Sequence, residues 1–307
     1  MEEIRPNNLL RTPLVSILLT LLIFFLGFQI IGPAIGGTIA LLFYSGTESE
    51  YWKLLENPLG NPDSKIILLV MQASGALIGL ILLPAYLMRR QGRKLSNYFA
   101  TPHLRPVIIV PILVIVFMGV NAIFIHWNKG IHLPFGLEDW ARPLEEKLGE
   151  LTVFITQYDS QLQMILAFIV VAVLPAIGEE IVFRGMIQND FYRATRNAHL
   201  SIWISAFLFS AIHLQFYGFF PRMFLGALFG YLYFWSGNLW MPVLAHFVNN
   251  GFTLVSLYLY DKGAIAIDME NTQPTLWQVL FSIVFSAFLL YAFKNFYNNQ
   301  PKTDIPD

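Results

Sequence analysis

From Thr12 to Thr47 the sequence carries no formal charge. A helix needs about 20 apolar residues to cross the hydrocarbon core of a bilayer, and this run exceeds that. In lipid, only a helix or a closed barrel satisfies the backbone N–H and C=O groups of such a segment. Further apolar stretches follow at Ile66–Met88, Val107–Trp127, Leu162–Phe183, Leu200–Leu214, Met223–Trp235, Leu239–Tyr260 and Leu276–Phe293. Charged residues make up 13% of the chain, about half the share a soluble protein uses to cover itself. The expected fold is therefore an all-α, polytopic integral membrane protein of about eight transmembrane helices, with residues 1–307 as one membrane domain.

The first stretch is too long for one upright helix, and Gly32-Pro33 with Gly36-Gly37 predict a kink or a re-entrant tail. It is also too long for a signal-peptide core, so it reads as a retained signal anchor. The sixth stretch is short, and Ser236-Gly237-Asn238 links it to the seventh; this predicts a short helical hairpin with a buried turn. With the N-terminus inside, the inner segments hold Arg5, Arg11, Arg89, Arg90, Arg93, Lys94, Arg105, Arg184, Arg193, Arg196, Lys294 and Lys302. The longer outer segments hold Lys53, Lys65, Lys129, Arg142, Lys147, Arg222 and Lys262. Both termini are thus expected in the cytoplasm. Residues 128–160 form the longest polar stretch, an extracytoplasmic loop on this count. Within it Trp140, Leu144, Leu148 and Leu151 recur at helical spacing and predict an amphipathic helix. The tail 298–307 reads as disordered. A net charge of −1 offers no basic field for a nucleic acid. With no cysteine, disulfides, thiolate metal sites and cysteine nucleophiles are excluded.

Ionisable residues inside membrane spans are costly and mark function by default. The first cluster is Glu179-Glu180 with Arg184, at the end of the fourth span. On a helix, positions four apart share a face, so Glu180 can pair with Arg184 while Glu179 stays free as a general base. Taken alone, an interfacial salt bridge explains the cluster as well. The second is Phe209 with His213, in the fifth span, where Phe209 can pack beside the imidazole; the plain alternative is a packing histidine. The third is His246 with Asn250, one turn apart in the seventh span and able to donate to an oxyanion; the plain alternative is polar helix–helix glue. At 1.5 Å per residue, Glu179 lies about 21 Å from Arg193, and His213 lies at a similar distance from His199. With the buried hairpin turn, His246 reaches the same depth. Three polar clusters at one depth favour a joint site. Pro175 and Pro242, each four residues before a polar residue, are expected to kink their helices.

In that order and spacing, E-E-x-x-x-R (Glu179 to Arg184), F-x-x-x-H (Phe209 to His213) and H-x-x-x-N (His246 to Asn250) resemble the CPBP family of intramembrane proteases. That family groups type II CAAX prenyl endopeptidases with bacteriocin-processing and self-immunity proteins. The likeness covers residues 161–260, the expected catalytic core. It implies that Glu179 and His213 activate water, that Glu180 and Arg184 orient the site or grip substrate backbone, and that His246 and Asn250 stabilise the oxyanion. It leaves metal use open: zinc on Glu179, His213 and His246, or a metal-free glutamate mechanism. Signatures of other intramembrane proteases (H-E-x-x-H, G-x-S-x-G, G-x-G-D) are absent from the sequence.

The function expected is an intramembrane endopeptidase reached from the cytoplasmic side, acting on a peptide or lipid-anchored protein. Its expected setting is the bacterial inner membrane, with the lipid bilayer as surroundings and no nucleic acid as partner. One alternative is a non-catalytic membrane partner, such as an immunity protein binding a peptide. Another is a proton-coupled transporter, which the lack of an internal repeat disfavours. Substrate identity and oligomeric state are not legible in the sequence.

Overall fold

The computed structural model describes residues 9–158, 160–265 and 273–300, and these are all-helical, with no strand among them. The helices are α1 (Pro13–Leu42), α2 (Glu48–Glu56), α3 (Ser64–Arg90), α4 (Leu104–Lys129), α5 (Leu137–Thr156), α6 (Gln161–Thr195), α7 (Ala198–Ala211), α8 (Phe219–Ser236), α9 (Trp240–Asp261) and α10 (Leu276–Asn298). Eight of them coincide with the eight apolar stretches. Five (α1, α3, α4, α6 and α10) are long and apolar enough to cross a membrane. The chain is a multi-pass membrane protein. Arg5, Lys302 and most of the tail expected to be disordered (301–307) lie outside the described residues.

Where helix ends differ from expectation, the backbone supplies the reason. α1 is continuous from Pro13 to Leu42, with a π-helical turn over Gly27–Ile31 directly before Gly32 and Pro33. Gly32 serves packing. A Cβ on Gly32 would stand 2.4 Å from the Gly75 Cα of α3, so only glycine lets the two backbones approach this closely. α8 begins at Phe219 rather than Met223 and is therefore less short than expected. The turn after it is buried, with Ser236 and Asn238 each 6% exposed and Gly237 at φ 62°, a left-handed conformation that favours glycine. The turn is pinned to the loop after α3: the Leu239 N–H donates to the Tyr98 carbonyl at 2.8 Å, and Asn238 Nδ2 to the Ala100 carbonyl at 2.8 Å.

α6 sits at the centre. Its most apolar window is 44% buried within the protein, against 22–33% for the other four long helices. It carries two π-helical segments, Ile169–Val173 and Ile181–Gln188, with Glu179 and Glu180 in the short α-helical piece between them. Such segments occur often at functional sites because they re-aim side chains. The helix runs twelve residues past the expected end at Phe183, so the Glu-Glu pair lies mid-helix. Near its last turn, Asp190 (0% exposed) pairs with Arg93 and with Arg193, the latter at 3.0 Å, and accepts from Ser16 Oγ at 2.5 Å. Two basic residues assigned to orientation thus belong to a buried ion cluster that ties α1, α6 and the loop after α3 together. At the opposite end of α4, Asn128 holds the loop between α7 and α8: its Nδ2 donates to the Phe216 carbonyl at 2.8 Å, and its Oδ1 accepts from the Phe220 N–H at 2.9 Å. α5 forms over the expected amphipathic stretch and packs on that same loop through Trp140 and Phe216.

Candidate active site

The two carboxylates of α6 have different surroundings. Glu180 is fully buried, and its Oε1 accepts from Arg184 Nη1 at 2.8 Å. The same oxygen lies 2.8 Å from His246 Nδ1 of α9, 66 positions along the chain. An ionised carboxylate only accepts hydrogen bonds, so Nδ1 carries the proton and Nε2 has the free lone pair when the ring is neutral. That Nε2 faces Glu179 Oε2 at 3.8 Å. This is too long for a hydrogen bond and leaves the two atoms as facing acceptors. Glu179 itself is 9% exposed, and no hydrogen bond to Arg184 consumes it.

Arg184 is 1% exposed. It donates Nη2 to the Gly226 carbonyl of α8 at 2.8 Å, and its guanidinium sits over the rings of Phe209 and Phe229, 4.8 and 5.5 Å from their centroids. Nη1 and Nη2 are thus both engaged inward, while the buried Nε has no hydrogen-bond partner. Phe229 also stacks on His246 at 5.3 Å and 27°. The close seat of α6 depends on Gly178, where a Cβ would stand 2.5 Å from the Leu80 Cβ of α3.

His213 lies in the turn just after α7 rather than within a helix. Its Nδ1 is 2.8 Å from the Phe209 carbonyl; a carbonyl only accepts, so the free lone pair is again on Nε2. Phe209 packs edge-on against both histidines, 5.3 Å from His213 and 5.9 Å from His246. Asn250 does not pair with His246. Its Nδ2 donates to the Val171 carbonyl at 3.1 Å, and its Oδ1 accepts from Asn249 Nδ2 at 3.1 Å. Val171 stands four residues before Pro175, which has no N–H to give it; the amide of Asn250 provides a donor. Pro175 opens an α-helical piece directly after a π-helical one, while Pro242 sits in the first turn of α9 and kinks nothing.

Of the residues singled out in the sequence, the structure joins Glu179, Glu180, Arg184 and His246 in one contact network. His213 connects to it through Phe209, and Asn250 is held one turn from His246. The three side chains named for zinc do not gather: among the described residues no group of three or more His, Asp or Glu is arranged to hold a metal ion. The sequence reading missed Arg222, a buried-edge guanidinium at the start of α8, close enough to Glu179 and His213 for their charges to interact. In sequence it reads as one more loop charge beside a proline, and no spacing relates it to the motifs.

Comparison with known proteins points the same way. Residues 161–252 match the Rce1-like family, described as type II CAAX prenyl endopeptidase Rce1-like. The uncharacterized protein YpbD of Bacillus subtilis (strain 168) is 31% identical over 84 residues, 26% of this chain. The match spans 40% of YpbD, well under two thirds of its length. No solved structure matches this chain. The matched stretch begins with α6 and ends in α9, and it holds every motif residue from Glu179 to Asn250. Over residues 161–252, this multi-pass helical chain is similar to the Rce1-like family of type II CAAX prenyl endopeptidases.

Proposed function

We propose that the chain is an intramembrane endopeptidase that hydrolyses peptide bonds of membrane-associated or lipid-anchored peptides, with residues 161–260 as its catalytic core. The observation carrying this reading is the Glu179–His246–Glu180–Arg184 network, assembled from α6 and α9 inside an apolar bundle. Glu180, held by Arg184, fixes the His246 ring with Nδ1–H inward. Glu179 is the general base: it takes a proton from the attacking water at Oε2, beside the His246 Nε2 lone pair. His246 receives that proton at Nε2 and becomes an imidazolium, stabilised by the Glu180 carboxylate. In that state Nε2–H donates to the tetrahedral oxyanion and later protonates the leaving amine. His213, its Nε2 lone pair free, orients the water from the α7 side. Asn250 contributes the N–H left over from its bond to Val171. The gathered side chains do not make a three-ligand metal set, and each of these steps uses a side chain of this chain.

Membrane proteomes of cells expressing the wild-type chain or the Glu179→Gln variant test the proposal by enrichment of new peptide termini. Termini that appear only with the wild-type protein, at equal membrane levels of both, are expected. Identical termini in the two samples would refute the peptidase reading.

A further inference from the structure

The last turns of α10 and the first turn of α4 enclose a groove of about 420 Å³ that the proposed chemistry does not use. His103, just before α4, holds the two helix ends together by packing edge-on against Phe296 and Tyr297, at 5.4 and 6.5 Å. Arg105 lines the polar end of the groove together with the amides of Asn295 and Gln300. Neither the segment 89–129 nor α10 contains an acidic residue, and among the described residues no carboxylate pairs with the Arg105 guanidinium. The bases Arg89, Arg90 and Lys94 at the same end of the bundle draw anions to that membrane surface. Below Arg105 the walls turn apolar. Ile108, Ile112 and Ile115 follow it along one exposed face of α4, and Tyr291, Phe288 and Val284 follow Asn295 along one exposed face of α10. At 1.5 Å per residue the α10 stripe descends about 16 Å from Asn295 to Val284, close to half the thickness of a hydrocarbon core, about 15 Å. A soluble anion uses the polar end and leaves the stripes bare. A phosphate that carries acyl chains uses both, and a guanidinium suits its oxygens.

We infer that this groove binds one anionic phospholipid of the adjoining leaflet, with its phosphate on Arg105 and the amides of α10 and its acyl chains along the exposed faces of α4 and α10. The site lies outside residues 161–252 and stands apart from the peptidase reading. The lipid completes the seat of α10, whose Leu289 and Phe293 share one core with Val110 of α4 and with Phe229 of α8, the ring stacked on His246. A ligand that binds only the folded chain also stabilises it, so occupancy should raise the midpoint of thermal unfolding.

Native mass spectrometry of the full-length protein in detergent, titrated with phosphatidylglycerol or with phosphatidylcholine of the same chains, provides the test. One phosphatidylglycerol is expected to bind about 10- to 100-fold tighter than phosphatidylcholine, whose ammonium offsets its phosphate; that is the range of one charge-assisted contact. Arg105→Gln should erase the preference and leave phosphatidylcholine binding unchanged, and Arg105→Lys should keep part of it. Arg89→Gln, which removes an exposed base outside the groove, should leave the preference intact. Equal binding of the two lipids, a preference that survives Arg105→Gln, or one that Arg89→Gln removes as fully, overturns the site. Ala292→Phe narrows the groove and should weaken phosphatidylglycerol with Arg105 in place; unchanged affinity counts against the groove as the seat. Glycerol 3-phosphate, a headgroup without chains, should not displace the lipid at equal concentration; if it does, the groove reads phosphate alone and the lipid assignment fails. Removing residues 301–307 should leave the affinity unchanged, whereas a tenfold rise shows that the tail competes for the groove and is its occupant in place of lipid.

Discussion

Replacing Glu180 with glutamine removes one negative charge and almost no volume, which isolates what that charge does. In the native protein the carboxylate accepts from Arg184 and His246 at the same oxygen, 2.8 Å from each. Without it, Arg184 retains the Gly226 carbonyl and the faces of Phe209 and Phe229, but its charge is buried with no anion bonded to it. Breaking a buried ion pair in this way costs about 3–5 kcal/mol. At about 2 °C per kcal/mol for a chain of this size, the midpoint of thermal unfolding in detergent falls by about 6–10 °C. Activity falls further than stability. The introduced amide can donate to His246 Nδ1, which drives the ring to the opposite tautomer and places a proton on Nε2. Glu179 then has nowhere to pass its proton, and kcat drops about 10²- to 10⁴-fold with KM little changed. Adding Arg184→Met removes the stranded charge, so Glu180→Gln with Arg184→Met should regain most of the lost stability and none of the activity. The measurements are Trp fluorescence against temperature and cleavage of a substrate found by terminal proteomics. A Glu180→Gln variant with near-native kcat, or a double variant that recovers activity with stability, refutes the role given to the charge.

Two further outcomes follow from individual contacts. Asn250→Ala leaves the Val171 carbonyl without the amide it now bonds and should destabilise by about 1–3 kcal/mol; adding Pro175→Ala, which returns a backbone N–H to α6, should recover part of this in the same unfolding assay, and no recovery would dissociate the amide from the proline. Burial lifts the Glu145 carboxyl above its ordinary value of 4.5, partly offset by the Tyr217 N–H, so the folded state holds that proton more tightly. The resulting stability is full below the ordinary value and lost as pH rises through the lifted one; Glu145→Gln should flatten a stability-against-pH profile across that window, and an unaltered profile would count against it.

The transmembrane helices were legible because their signal is composition over twenty residues, and the lipid leaves no other backbone solution. The Glu180–Arg184 pair was legible for a local reason, a shared face at four-residue spacing. That His246 would meet this pair was inferred only from depth, and its bond to Glu180 depends on how the hairpin of α8 and α9 seats against the loop after α3. The apolar stretch stops at Phe183 because Arg184, Gln188, Asn189 and Asp190 follow it, while the helix itself continues to Thr195, close to the Arg193 used to gauge depth. In sequence Gly32 of α1 reads only as a helix-weakening residue; its close seat against Gly75 of α3 is a contact no single segment encodes. Pro242 was misjudged by position alone, since a proline in a first turn fits the helix. Arg222 and Asp190 were invisible as site and as staple, because a charge near a helix end looks the same in sequence whether it faces water or a neighbouring helix.

On the proposed chemistry, the hairpin pinned to Tyr98 and Ala100 also decides when this chain can act. Glu180 reaches the membrane with α6, but His246 comes only after α8 and α9 have entered and their turn has found the loop after α3. A chain caught part-way through insertion holds Glu179 with no imidazole beside it and is inert. Completion of the fold and completion of the proton path are one event. On that chemistry the chain stays silent toward its neighbours in the bilayer until its own assembly is finished.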